Sequence, residues 1–184
     1  MQRRMLSLLA MCCTAVVGLA AAQTPSARFG LGGGATVPTG TYKGTDKLGW
    51  HAMGLVQIGV PGSPVDIRVD GVYSHTSHDT TKVGVPSGTT KLYGGLASVV
   101  YNVGPKALMA RAYVLGGVGA YHLKQDLGGG LTGDATKVAF GGGGGVSFSL
   151  AAVHGFVEAR WVSVRTTGSA LNFFPVSAGL MFGT

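Results

Sequence analysis

Thiols and acids are both scarce in this 184-residue chain. Its two cysteines, Cys12 and Cys13, stand side by side near the N-terminus, and one glutamate, Glu158, joins six aspartates as the whole acidic complement. Beyond residue 13 no cysteine remains, which excludes a disulfide framework and a thiolate metal site. Basic residues are spread along the chain with no cluster interleaved with aromatics, which gives nucleic-acid binding little support. Sustained helical periodicity is missing as well. What the chain has in excess is glycine, 33 residues, set among Val, Leu, Ala, Phe and Tyr with no collagen period. That mixture favours tightly curving strands over disorder.

The N-terminus reads as a secretory signal over residues 1–22. Arg3 and Arg4 form a basic start, Met5–Leu19 is a short apolar run, and Ala20-Ala21-Ala22 supplies a small-residue cleavage site. An uncleaved anchor is disfavoured because the run is short and ends in that motif. Lipidation at Cys12 is disfavoured because Met11 is too bulky for the preceding position. Without Arg3 and Arg4, 12 basic residues face 7 acidic ones, a net charge of +5. Residues 23–184 suit one domain.

Eight extended segments are predicted: Arg28–Val37, Trp50–Val60, Val65–Tyr73, Leu92–Val103, Ala110–Leu123, Lys137–Leu150, Phe156–Val164 and Phe174–Phe182. The third reads V-D-I-R-V-D-G-V-Y. Strand side chains alternate, so Val65, Ile67, Val69 and Tyr73 share one face while Asp66, Arg68 and Asp70 share the other. Long polar connections at 38–49, 75–91, 124–136 and 165–173 alternate with short ones at 61–64, 104–109 and 151–155. Transmembrane barrels alternate in this way, with short turns on the periplasmic side and longer loops outside. The predicted fold is therefore all-β: an eight-stranded antiparallel up-and-down transmembrane barrel with a lipid-facing exterior and a polar interior filled by side chains.

Four aromatic pairs are spaced eight residues apart: Tyr93 and Tyr101, Tyr113 and Tyr121, Phe140 and Phe148, Phe174 and Phe182. Eight residues cover about 26 Å of strand, or about 20 Å of height at a tilt near 40°. The spacing predicts that all eight rings face lipid as two interfacial girdles.

If apolar residues face outward, Glu158 and Arg160 face the lumen beside Asp66, Arg68 and Asp70. The third and seventh strands lie opposite each other in an eight-stranded barrel, whose interior is only wide enough to be filled by side chains. Asp66, Asp70 and Glu158 are expected to balance Arg28, Arg68 and Arg160, avoiding buried unpaired charge and plugging the lumen.

Other motifs carry less. Gly30–Ala35 matches G-x-G-x-x-A in letters, but no strand precedes it and no helix follows, so it reads as a glycine-rich first strand. Gly141–Gly145 lacks the Gly-Lys-Ser/Thr ending of a phosphate loop. His75, His78 and Asp79 cluster without a third well-spaced metal ligand. His75-Thr76-Ser77 resembles the H-x-S pair of barrel lipid A deacylases, but the orienting carboxylate is missing unless Asp79 substitutes. No catalytic, cofactor or metal residues are assigned.

The leader, the alternating segments, V-D-I-R-V-D, Y-V-L-G-G-V-G-A-Y (Tyr113–Tyr121), F-V-E-A-R-W and F-P-V-S-A-G-L-M-F together resemble the small outer-membrane β-barrel family of OmpA/OmpX type. The resemblance covers Gln23–Thr184 and implies residence in a Gram-negative outer membrane and insertion by the barrel-assembly machinery. Two departures stand out. Phe182 is followed by Gly183-Thr184 where family members end on an aromatic, and the peptidoglycan-binding domain of larger relatives is not carried over. A structural or surface-interaction role through the four long loops, without enzymatic activity, is expected. The alternatives are a narrow or gated pore, a lipid-modifying enzyme using Ser77, and a soluble lipocalin-like barrel with Val65, Ile67 and Val69 inside.

Overall fold

The computed structural model describes residues 25–40, 43, 46–81, 87–105, 109–126, 132–150, 153–166 and 169–183. The leader assigned to residues 1–22 lies outside them. Eight strands follow in order: β1 (Ala27–Thr39), β2 (Gly49–Gly59), β3 (Val65–Ser77), β4 (Thr89–Asn102), β5 (Ala110–Asp126), β6 (Thr132–Leu150), β7 (Val153–Thr166) and β8 (Ser169–Gly183). Each pairs antiparallel with its neighbours, and β1 closes on β8 through a register running from Arg28↔Gly183 to Thr39↔Asn172. Closure leaves no open edge, which is what a strand crossing hydrocarbon requires.

The chain is apolar on the outside. On β3, Ile67, Val69 and Tyr73 are exposed while Arg68 and Asp70 are buried. Each of the other seven strands repeats the arrangement, with Phe29 and Leu31, Val56 and Ile58, Val99 and Tyr101, Val114 and Val118, Val138 and Phe140, Val157 and Trp161, and Val176 and Leu180 on the outer wall. Water would not tolerate so continuous an apolar wall, whereas lipid does. The lipocalin-like orientation, with Val65, Ile67 and Val69 inside, is overturned by this wall. Val69 lies near the middle of the lipid-facing run from Ile67 to Tyr73 on β3 and is 56% exposed. Val69→Arg should therefore cost about 2–4 kcal/mol, the depth-dependent penalty for a cation at the bilayer midplane. Denaturant unfolding in lipid vesicles measures this loss, and the same change in detergent should cost less.

All eight predicted segments fall within strands, but two of the long connections are mostly strand. Residues 124–136 belong largely to β5 and β6, which pair from Ala110↔Phe148 up to Asp126↔Thr132. Residues 165–173 belong largely to β7 and β8, paired up to Thr166↔Ser169. Polar composition suits a strand standing clear of the lipid as well as a loop. These segments are polar because they rise above the lipid, not because they leave the sheet. The 19 residues of β6 reach about 48 Å at a tilt near 40°, about twice the height of the lipid-facing band.

The interior is less polar than predicted. One apolar cluster gathers Leu92, Leu96, Tyr121, Leu123, Ala139, Val162, Val164 and Phe173, with Tyr121 and Phe173 edge-to-face at 5.9 Å. A second holds Met53, Leu55, Phe156 and Met181, and a third Val100, Tyr113 and Leu115. Apolar clusters therefore share the lumen with the charged residues.

Candidate functional site

The charged layer is built by β3 and β7, half a circuit apart. Alternation turns Arg68 and Asp70 inward from β3, and Glu158 and Arg160 inward from β7. Arg68 Nη1 donates to Glu158 Oε2 at 2.6 Å, and Arg160 Nη1 donates to Asp70 Oδ1 at 2.7 Å. Arg160 Nε also donates to Glu158 Oε1, so Glu158 is held by both guanidiniums. Two cations and two carboxylates thus form one neutral chain across the lumen, every member nearly inaccessible to solvent.

Neighbours complete the chain. Tyr113 donates its hydroxyl to Glu158 Oε2 at 2.8 Å, and Arg68 Nε donates to Gln57 Oε1 at 3.0 Å. The Arg68 guanidinium also lies 5.3 Å from the Tyr113 ring centroid and 5.8 Å from that of Phe156, within cation–π range.

Two of the six predicted members stand apart. Asp66 accepts hydrogen bonds from the amides of Gln57 and Asn102 and makes no ion pair among the described residues. Arg28 reaches no carboxylate there either. Both lie toward the short-turn end, where the charge chain does not extend.

The aromatic expectation also needs correction. Tyr93, Tyr101, Phe140, Phe174 and Phe182 are exposed on the outer wall, and Phe148 shares that face, its ring lying over Gly155. Tyr113 and Tyr121 instead point inward, each 2% exposed. Both faces of β5 are apolar, so spacing alone could not orient this pair. Arg111 shares their parity and marks the odd-numbered face of β5 as the lumen side.

A second polar group escaped the sequence reading. His51 is buried, its Nδ1 3.1 Å from Thr36 Oγ1 and its Nε2 2.8 Å from Ser177 Oγ, and Thr36 Oγ1 lies 3.0 Å from Ser74 Oγ. The serine–histidine contact looks nucleophilic, but the adjoining cavity is only about 20 Å³ and admits no substrate. Both ring nitrogens face hydroxyls, and among the described residues no carboxylate orients the imidazole. This group joins the neighbouring strands β8, β1, β2 and β3 along one inner wall.

At the outward end, the His75 ring packs near Trp50 at 6.2 Å and makes no hydrogen bond to Ser77. Asp79 bonds Thr81 Oγ1 at 2.6 Å and lies 3.4 Å from Lys47 Nζ, and these contacts hold its carboxyl down at about 2. Asp79 is thus committed elsewhere and does not orient His75. Among the described residues no three His, Cys, Asp or Glu side chains converge on a metal position.

No known protein-family profile and no curated sequence matches the chain. Solved structures do. The chain is similar to Neisserial surface protein A (17% identity, TM-score 0.66, 88% of this chain and 100% of that one). It is also similar to the N-terminal β-barrel domain of Pseudomonas aeruginosa OprF (12%, TM-score 0.51, 86% and 97%). A third likeness is to Ail, the attachment invasion locus protein of Yersinia pestis, in complex with the heparin analogue sucrose octasulfate (16%, TM-score 0.52, 86% and 97%). The fold is that of the small eight-stranded outer-membrane β-barrels.

Proposed function

We propose that this chain is an integral outer-membrane barrel, delivered by the leader at residues 1–22 and inserted by the barrel-assembly machinery. Its role is structural or surface-interacting, without catalysis or conduction. What supports this reading is the packing of side chains inside the barrel. The Arg68–Glu158–Arg160–Asp70 chain crosses it, and the Leu92–Leu96–Tyr121–Phe173 cluster packs above that chain. Among the described residues, the cavity beside His51 and Ser177 is only about 20 Å³.

Contacts with partners then fall to the outward end, at residues 38–49, 75–91, 124–136 and 165–173. There the β5–β6 hairpin stands highest. His122 braces it, with Nδ1 2.8 Å from Thr136 Oγ1 and Nε2 3.7 Å from Asp134 Oδ2. A rigid paired strand presents a contact surface at lower ordering cost than a free loop. The names of Neisserial surface protein A and of Ail, a protein of attachment and invasion, fit a surface role.

Conductance tests the reading. Purified barrel in a planar bilayer should give no steady unitary currents. Steady currents that change in size or selectivity on Arg160→Gln would replace it with a gated pore running through the charge chain.

A further inference from the structure

Below the charge chain the barrel opens into a cavity of about 270 Å³ at its short-turn, periplasm-facing mouth. Its titratable lining is Arg28, Asp66, Arg68, Arg111, Tyr113 and His154. Most of these groups are already engaged. Arg68 and Tyr113 bond Glu158, the amides of Gln57 and Asn102 hold Asp66, and His154 Nδ1 lies 3.0 Å from Ser149 Oγ.

Arg28 and Arg111 remain. Arg111 Nη2 donates to the Gly104 carbonyl at 3.2 Å, and neither guanidinium reaches a carboxylate among the described residues. The Nε of each is buried and has no hydrogen-bond partner. They come from β1 and β5, which are half a circuit apart in the closed barrel, so two guanidiniums without an ion pair face one cavity from opposite walls, against the single carboxylate of Asp66. Low-dielectric walls focus that field and raise the local concentration of anions. Guanidinium forks also match the geometry of an oxyanion and bind it through paired hydrogen bonds.

We propose that this vestibule is an oxyanion-binding site for a phosphate group, held between Arg28 and Arg111. The phosphate is either a free anion of the periplasm or the head group of an inner-leaflet lipid reaching over the rim. The site does not depend on the surface role proposed above and would stand if that role failed.

The test uses the full barrel in nanodiscs of zwitterionic phosphatidylcholine, titrated with inorganic phosphate at constant ionic strength. Binding to the folded state alone raises the thermal midpoint in proportion to occupancy. The midpoint should rise by several degrees with phosphate and stay level with chloride. In the Arg28→Gln, Arg111→Gln double variant the rise should vanish while the heat-shifted gel band shows that the barrel still forms. Line broadening of the phosphorus resonance reads binding independently of stability; it should at least double with the wild-type protein and be lost in the variant. A midpoint raised by phosphatidylglycerol in the disc without added phosphate assigns the site to a lipid head group. A rise with phosphate alone assigns it to the free anion. An equal response to chloride, or an undiminished response in the double variant, overturns the site.

Discussion

Glu158→Ala should lower barrel stability by about 3–5 kcal/mol, the usual cost of leaving a buried charge without its partner. The effect is large because Glu158 is a shared partner. Arg68 Nη1, Arg160 Nε and the Tyr113 hydroxyl all bond its two oxygens. Removing it leaves two buried guanidiniums facing the single carboxylate of Asp70. Glu158→Gln keeps the volume and part of the hydrogen bonding, so it should cost less. Pairing Glu158→Leu with Arg68→Met removes charges of both signs and should recover much of the loss, since well-packed apolar replacements of buried ion pairs are often tolerated. Urea unfolding of the refolded barrel in lipid vesicles, followed by tryptophan emission and by the gel shift, measures all three. If Glu158→Ala and the double replacement unfold at the same urea concentration, the layer acts through packing alone and its charges are incidental.

What could be read from the sequence divides along a physical line. β3 and β7 were readable because each carries charges at alternate positions inside an apolar run, which fixes both the strand and its orientation. Arg68, Asp70, Glu158 and Arg160 were therefore placed in the lumen, and half-circuit geometry brought them together. β5 offered no such contrast along most of its length. Tyr113, Leu115, Tyr121 and Leu123 on one face and Val114, Val118 and Ala120 on the other are equally apolar, so its tyrosines were assigned to lipid and belong inside. Arg28 and Asp66 were assigned to the ion-pair chain because parity sets direction and says nothing of height. They sit too near the short-turn end to reach it. Polarity at residues 124–136 was read as loop because a strand that leaves the bilayer loses its apolar face while keeping its hydrogen bonds. The His51–Ser177–Thr36 group joins residues far apart in sequence, through registers that only closure of β1 on β8 brings into being.

Gly119→Ala should cost about 3 kcal/mol, the upper range for overpacking a close contact, whereas Gly116→Ala on the same strand should be nearly neutral. A Cβ built at Gly119 would lie 1.9 Å from the Gly95 carbonyl oxygen of β4, and one at Gly117 would lie 2.2 Å from that of Ala97. The obstruction is backbone in a hydrogen-bonded neighbour, so no side-chain rotation relieves it, and β4 and β5 would have to separate locally. At Gly116 the nearest atom is the Gly141 carbonyl oxygen at 3.8 Å, on the lipid side, where a methyl group fits. Both substitutions remove one glycine from β5 and restrict the unfolded chain equally. The difference between them therefore isolates close strand approach from glycine's backbone entropy. Folding yield after dilution from urea into vesicles, scored by the fast-migrating unboiled band, gives the comparison. A matched loss at both positions would mean that β5 needs glycine for flexibility. Loss at Gly119 alone would mean that the strong coiling of β3, β4 and β5 rests on backbones packed too closely for any side chain, a constraint that the lipid-facing Gly54, Gly71, Gly116 and Gly142 do not share.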